Sequence, residues 1–256
     1  MSLLEEVQTS EPYQPLFATI YGPPGVGKTT FGTQCENPLI LDYDQGMVEI
    51  KDSPRLLMAN RPYSDLLNVI AELAETKHDY RTLVIDTEDK LWPIRERHVL
   101  EELKISSLSD LGFGKAYQHL RGTYNRELKL LKKLRAMQKM NIVILCHAAI
   151  KDMHEPHLSA EYQLYTLNIP AKHSADLFEA SYLIGFATIK TVVRKKQGTF
   201  GQQESKAVKT GERILIVNPV TGVHAKNRYG LTDEIAMEPS ILMGAIQETR
   251  DKKENS

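Results

Sequence analysis

The chain has 256 residues, of which 41% are hydrophobic and 25% charged, a balance typical of soluble globular proteins. Its formal net charge of −1 excludes an overall positive field, so any binding of nucleic acid must depend on local basic patches. No apolar run in the sequence is long enough to span a membrane, and its two cysteines favour the reduced thiols of a cytoplasmic protein. We expect a flexible segment at 1–15, a single domain at 16–248 and a charged tail at 249–256.

A phosphate-binding loop follows the first predicted strand, residues 16–21. Residues 22–29 fit the pattern G-x-x-x-x-G-K-[ST], in which glycines let backbone N–H groups converge on phosphate oxygens. Lys28 would reach the β- and γ-phosphates of a nucleoside triphosphate, and the Thr29 hydroxyl would bind Mg²⁺. The predicted nucleotide-binding residues are Gly22, Pro23, Pro24, Gly25, Val26, Gly27, Lys28, Thr29 and Thr30.

An aspartate ends the hydrophobic stretch 82–86, which we predict to be a buried strand. Downstream of a phosphate-binding loop, such an aspartate is typical of the Walker B position. Asp86 would therefore bind Mg²⁺ opposite Thr29. Between the two motifs, apolar residues with helical spacing predict a helix that begins near Ser64.

Hydrolysis also needs a carboxylate that orients and polarises water, and two residues are candidates. Asp44 lies just beyond the predicted strand 38–42, and Glu88 lies two residues beyond Asp86. We favour Asp44 because ligands of open α/β sheets collect at the carboxyl ends of neighbouring strands. Each candidate has a structural alternative, which is turn formation for Asp44 and helix capping for Glu88.

A long helix is predicted at 121–140, and the buried strand after it ends at His147. At a strand end beside the nucleotide, His147 would sense the γ-phosphate and pass its presence to the following loop. The alternative is a histidine that is simply hydrogen-bonded there. Because strands alternate with helices, the sequence predicts an α/β fold with a mostly parallel central sheet covered on both faces.

The last third of the chain predicts a helix at 174–182 and a C-terminal β-hairpin extension. Between its strands, 183–193 and 213–217, residues 194–212 are either a long, lysine-rich hairpin loop or a disordered connector. Further on, Lys226 and Arg228 are separated by one residue, so on an extended segment they point to the same side. They would enter a neighbouring subunit's site as an arginine finger with a supporting lysine, or they are ordinary surface charges.

The chain resembles the RecA-like core ATPases and, more narrowly, the phage-type AAA-domain ATPases associated with single-strand annealing and recombination. The resemblance spans residues 16–235. It is carried by blocks at 22–29, 39–44, 83–87 with 112–117, and 226–230. In the second block the family has Asp-x-Glu, whose glutamate activates water, whereas this chain has Asp44.

This resemblance implies a three-layer P-loop NTPase fold and DNA-dependent hydrolysis of ATP, with Mg²⁺, by a homo-oligomeric ring or filament. In RecA-like proteins the loop after the sensor strand contacts single-stranded DNA. The matching stretch here, 150–169, contains Lys151, His154, His157, Tyr162 and Tyr165. Residues 194–209 are a more basic alternative.

The resemblance also implies a single-strand-binding or annealing protein as partner, no membrane, and the cytoplasm of a bacterial host. Two alternatives stay open at this stage. One is a hexameric, helicase-like ring motor, and the other is a P-loop kinase of a small substrate.

Overall fold

The computed structural model describes residues 14–45, 53–154, 161–197 and 203–254, and among these it describes side chains outside 193–207 and 253–254. Within these residues, ten strands form the central sheet. They are β1 (Phe17–Gly22), β2 (Pro38–Asp42), β3 (Arg55–Leu57), β4 (Thr82–Asp86), β5 (Asn141–Met153), β6 (Tyr162–Leu167), β7 (Leu183–Gln197), β8 (Gln203–Ile216), β9 (Lys226–Asn227) and β10 (Glu234–Ala236). The helices are α1 (Lys28–Thr33), α2 (Tyr63–Glu75), α3 (Glu88–Leu103), α4 (Lys115–Gln138), α5 (Ala171–Ala180) and α6 (Pro239–Glu254).

The strand order across the sheet is β10-β8-β7-β1-β5-β4-β2-β3, with β6 attached to β5 and β9 attached to β7. The strands from β7 to β3 are parallel, whereas β8 and β10 run antiparallel to their neighbours. The carboxyl ends of β1, β2, β4 and β5 therefore meet at one edge of the sheet. This order confirms the predicted mostly parallel sheet with an antiparallel C-terminal extension.

Two apolar cores cover the two faces of the sheet, because alternate residues of a strand point to opposite sides. Phe17 and Tyr21 of β1 belong to the core that α2, α3, α4 and α5 cover. Ala18 and Ile20 belong to the other core, which includes Phe31 of α1 and residues of α6. The result is the three-layer arrangement that the resemblance implies.

The C-terminal extension differs from its prediction. β7 and β8 pair as far as Gln197 and Gln203, so most of the expected loop is a long antiparallel ribbon. Helix α6 continues to Glu254, so most of the expected C-terminal tail is helical. Residues 1–13, expected to be flexible, lie outside the described residues.

Two further helices differ in extent from the sequence prediction. Helix α4 begins at Lys115, six residues before the predicted start, and α3 is not predicted at all. The sequence of α3 contains Pro93, which is unfavourable inside a helix. None of the described helices is both long and apolar enough to cross a membrane.

Candidate functional site

The phosphate-binding loop joins β1 to α1 at the carboxyl edge of the sheet. At Gly22 a Cβ atom would lie 2.4 Å from the carbonyl oxygen of Ala187 on β7, so a larger residue would not fit. Gly27 has φ 104°, in the left-handed region that favours glycine. Residues 23–25 are exposed, whereas Val26 is buried in the core. The geometry thus requires glycine at both ends of the loop.

Lys28 is buried beneath this loop. Its Nζ donates hydrogen bonds to the carbonyl oxygens of Gly22 and Pro23, both at 3.0 Å. Burial lowers the pKa of Lys28, while the carboxylates of Asp86 and Asp89 oppose that shift. The ammonium group therefore lies between the loop carbonyls and an acidic cluster formed by Asp86 and Asp89.

Asp86 ends β4, beside Asp42 at the end of β2. Burial raises the pKa of Asp86 to about 6, although a hydrogen bond from Thr29 favours the ionised form. One carboxylate oxygen, Oδ1, is buried without a hydrogen-bond partner. A buried carboxylate with an unpaired oxygen next to a threonine hydroxyl matches the hard oxygen ligands that Mg²⁺ prefers, so these residues fit a magnesium site.

Asp44 lies beside Asp86 at the same edge, because its backbone N–H donates to the Asp86 carbonyl oxygen at 3.3 Å. Its side chain is 30% exposed and its Oδ1 lies 3.5 Å from Nζ of Lys90. The residue thus lies where the strand order predicts it, with its carboxylate open to water. Thr30 is half-buried in α1.

Glu88 is the clearest correction to the sequence prediction, which offered it as a catalytic carboxylate. It begins α3 and is fully buried, and its Oε1 accepts a hydrogen bond at 3.0 Å from Nη1 of Arg95. A carboxylate buried at the start of α3 has no access to the water that attacks a phosphate. Burial raises the pKa of Glu88, which the Arg95 charge opposes.

Arg95 of α3 is the centre of a buried cluster that links α2, α3 and α4. Its Nε and Nη2 each donate to Glu127 of α4 at 2.8 Å, and the Tyr63 hydroxyl of α2 donates to the same carboxylate at 2.9 Å. The guanidinium group also lies 4.5 Å from the centre of the Tyr124 ring. Since Arg95 lies four residues from both Leu91 and Val99, its place on the apolar stripe of α3 is a signal that sequence reasoning missed.

His147 lies beside Gly22 in the register of β5 and β1, although β5 continues to Met153 and does not end at His147 as predicted. Its backbone N–H and its Nδ1 are each 2.9 Å from the carboxylate oxygens of Asp89. Burial disfavours ionisation of Asp89, but the two hydrogen bonds from His147 outweigh it and lower the pKa to about 2. Asp89 therefore belongs to the site, although the sequence did not single it out.

The predicted finger pair lies at the other end of the sheet. Arg228 donates its backbone N–H to the carbonyl oxygen of Tyr182, whose own N–H bonds to Phe17 at the start of β1. The Arg228 side chain is exposed, with its guanidinium 5.3 Å from the centre of the Tyr182 ring. Arg228 is therefore remote from the phosphate-binding loop of its own subunit.

Lys226 requires a correction to its predicted role as a supporting cation. Its Nζ donates to the carbonyl oxygens of Phe178 and Glu179, at the last turn of α5. Cations are favourable at a helix C-terminus because the last carbonyls have no partner within the helix. Burial, with the nearby Arg228 charge, lowers the pKa of Lys226 to about 8. Its ammonium group is therefore committed to capping α5.

The two predicted DNA segments are both parts of β-hairpins. Residues 150–169 include β6 and the end of β5, with Lys151 and His154 exposed, while His157 lies outside the described residues. The Tyr165 ring stacks on Phe186 with centroids 4.9 Å apart, so it contributes to packing. Residues 194–209 lie in the β7–β8 ribbon apart from the undescribed 198–202.

Comparison with known proteins gives one family. A family described as AAA domain matches residues 14–229, and no curated protein matches the chain. The structure is similar to the RadB recombinase, with 13% identity, a TM-score of 0.40, and coverage of 80% of this chain and 89% of that one. It is also similar to the flagellar accessory protein FlaH from Methanocaldococcus jannaschii, with 9% identity, a TM-score of 0.41, and coverage of 87% and 84%.

At TM-scores near 0.4, these two similarities carry no argument about function. The family match is different, because it covers most of the chain and includes the phosphate-binding loop, Asp86 and the parallel sheet. This chain belongs to the AAA-domain family and is a P-loop ATPase.

Proposed function

We propose that this protein binds ATP with Mg²⁺, hydrolyses it, and acts as an oligomer on single-stranded DNA in recombination or annealing. The observation that carries the proposal is the meeting of Lys28, Asp86, Asp44 and His147 at one edge of the sheet. Phosphoryl transfer needs a cation, a metal ligand, a carboxylate for water and a polar contact to the phosphate, and this edge supplies all four.

The nucleotide would lie along the phosphate-binding loop, with Lys28 toward its β- and γ-phosphates. Thr29 and Asp86 would hold Mg²⁺, which when bound neutralises charge on the triphosphate. The partnerless Oδ1 of Asp86 supports this assignment, because a buried, unpaired carboxylate oxygen is costly unless a ligand satisfies it.

Asp44 would orient and polarise the attacking water. Its carboxylate is partly exposed, and its ion pair with Lys90 is on the surface, where such pairs are worth about 0–1 kcal/mol. The pair therefore does not prevent Asp44 from accepting a proton from water. Glu88, sealed against Arg95, is left with a structural role.

Single-stranded DNA would bind along the β7–β8 ribbon. Residues 190–209 include six basic residues and one acidic residue, in a chain whose net charge is −1. In the register of the ribbon, Arg194 pairs with Lys206 and Thr191 pairs with Lys209. A phosphate backbone binds where cations are concentrated, so we expect single-stranded DNA to bind this ribbon in preference to other surfaces of the chain.

Two features support an assembly that responds to ATP. Strand β5 runs without a break from His147, beside the loop, into the hairpin with β6. Arg228 lies at the amino ends of the strands, so it would meet a nucleotide only in a neighbouring subunit. Binding of the γ-phosphate would thus be communicated along β5 and across the interface.

The first experiment is ATP turnover with and without single-stranded DNA, with Lys28→Ala as the inactive control and size-exclusion chromatography to follow assembly. We expect DNA to stimulate turnover and assembly. Turnover that ignores DNA in a protein that stays monomeric would contradict the DNA proposal and favour a kinase. Turnover in Lys28→Ala equal to that of the wild type would contradict the nucleotide site.

The second experiment locates the DNA. The double variant Lys195→Gln with Lys196→Gln removes two cations from the ribbon, and Lys132→Gln with Lys133→Gln removes two exposed cations from α4. The slope of log affinity against log salt should fall by about 0.7 per lost phosphate contact, in the ribbon variant only. Equal slopes for the two variants would contradict binding along the ribbon.

A further inference from the structure

Arg213 of β8 lies against the phosphate-binding loop. A Cβ atom at Gly27 would be 3.3 Å from both Cδ and Nη1 of Arg213. In the sheet, β8 lies two strands from β1 on one side, and β4, with Asp86, lies two strands away on the other. The loop therefore runs between a guanidinium group and the acidic cluster.

A polar groove opens beside Arg213, on the side of the loop away from Asp86. Its volume is about 690 Å³, within the range of small-molecule sites. Its lining includes Gly27, Thr30, Gln34, Arg213, Glu238 and Ser240.

The Arg213 side chain is exposed, and within the described parts of the chain no carboxylate lies in ion-pair distance of it. A planar guanidinium group without a carboxylate partner is suited to bind a phosphate oxygen through two N–H groups.

The direction of the nucleotide follows from these positions. Lys28, Thr29 and Asp86 mark the γ-phosphate end, so the α-phosphate and nucleoside must extend away from them. On that side lie Thr30 and Arg213. We infer that the groove holds the nucleoside of ATP and that Arg213 binds the α-phosphate, while Glu238 and Gln34 hydrogen-bond the ribose and base. This inference rests on the proposed nucleotide site.

Calorimetric titration with ATP, ADP and inorganic tripolyphosphate, all with Mg²⁺, tests the inference. Arg213→Gln should lower the affinity for both ATP and ADP by about 10- to 100-fold, since hydrogen bonds to charged groups are worth about 1.5–3 kcal/mol. Arg97→Gln, at an exposed position on α3, is the matched control and should change neither.

Ser240→Trp tests the groove separately, because Ser240 is exposed at the start of α6 and a large side chain there would fill the groove. This variant should lower the affinity for ATP at least about tenfold and leave the affinity for tripolyphosphate unchanged, since the phosphate-binding loop itself is intact.

The outcomes separate this inference from the proposed function. If the wild-type protein binds neither ATP nor tripolyphosphate, the nucleotide site itself is wrong. If it binds ATP, and Arg213→Gln and Ser240→Trp bind it equally well, only the inference is overturned. An effect of Arg213→Gln on ATP but not ADP would overturn the α-phosphate assignment and place Arg213 at the γ-phosphate.

Discussion

Asp89 accepts two hydrogen bonds from His147, one from the backbone N–H and one from the ring Nδ1, both at 2.9 Å. The pair links α3 to β5 and holds the imidazole ring in one orientation beside Gly22. Because Nδ1 is engaged, Nε2 is the ring nitrogen that can face a phosphate. A carboxylate on α3 thus sets the orientation of the proposed sensor.

Asp89→Asn should destabilise the protein at neutral pH. The pKa of Asp89 in the folded state, about 2, lies below its unfolded value, so its stabilising effect is present above pH 4 and is lost as the pH falls toward 2. The variant should lose about 2 kcal/mol of unfolding free energy at pH 7 and match the wild type near pH 2. Urea unfolding across this range measures it, with the exposed Asp79→Asn as control. A constant difference at every pH would contradict the assignment.

Asp86→Asn should have the opposite effect. Here the folded pKa, about 6, lies above the unfolded value, so keeping the group ionised at pH 7 costs stability. The variant should gain up to about 3 kcal/mol at pH 7, with the gain vanishing below pH 4, while Mg²⁺-dependent turnover is lost. The same unfolding series and an ATPase assay measure both. A variant that is less stable at pH 7 would refute the prediction.

Asp44→Asn should bind ATP normally but hydrolyse it on the order of 10²- to 10⁴-fold more slowly, because only the group that polarises water is removed. The matched control is Asp65→Asn, since Asp65 is 28% exposed and paired with Arg61 much as Asp44 is paired with Lys90. Single-turnover hydrolysis and equilibrium binding separate the two effects. Normal turnover in Asp44→Asn would mean that another group activates water.

Arg95→Met should destabilise the protein by about 3–5 kcal/mol, because it leaves the carboxylates of Glu88 and Glu127 buried without a cation. Adding Glu88→Gln and Glu127→Gln should recover most of that loss. Urea unfolding of the single and triple variants gives both values. A loss below 1 kcal/mol in the single variant would show that the buried cluster matters little to the fold.

Arg228→Ala should leave nucleotide binding intact and reduce turnover of the assembled protein on the order of 10³-fold, the lower range for an arginine finger. Subunits with Arg228→Ala keep the phosphate-binding loop, and subunits with Lys28→Ala keep the finger. Mixtures of these two variants should therefore regain activity that neither has alone. Arg97→Ala is the control, because it alters neither the loop nor the finger. No rescue in mixtures proven to co-assemble would place Arg228 outside the active site.

Local signals account for what the sequence predicted correctly. The phosphate-binding loop is a contiguous pattern, and the run ending at Asp86 is a continuous apolar strand, so both could be placed without knowledge of distant contacts. The β7–β8 ribbon could not, because its polar residues lack an apolar alternation and its strands are held by backbone pairing.

The remaining misses depend on residues far apart in the chain. Glu88 is buried in an ion-pair cluster with Arg95 and Glu127, which lie 32 residues apart, and so it cannot act as the catalytic carboxylate. Lys226 cannot act as the supporting cation because it binds carbonyl oxygens at the end of α5, 47 and 48 residues earlier. The spacing of Arg95 from Leu91 and Val99 indicates that Arg95 is buried, but no local pattern shows its contact with Glu127 or the contact of Lys226 with the end of α5.

The distance between Arg228 and Gly22 gives any assembly built on the finger a direction. They lie at opposite ends of β1, separated by about 16 Å for a strand of this length. A subunit would donate its finger through one surface and receive another's through a different surface, which is a head-to-tail contact. A closed ring would complete every site, whereas an open filament would leave one site incomplete at one end. Turnover per subunit would then rise with filament length and be independent of size only in a ring.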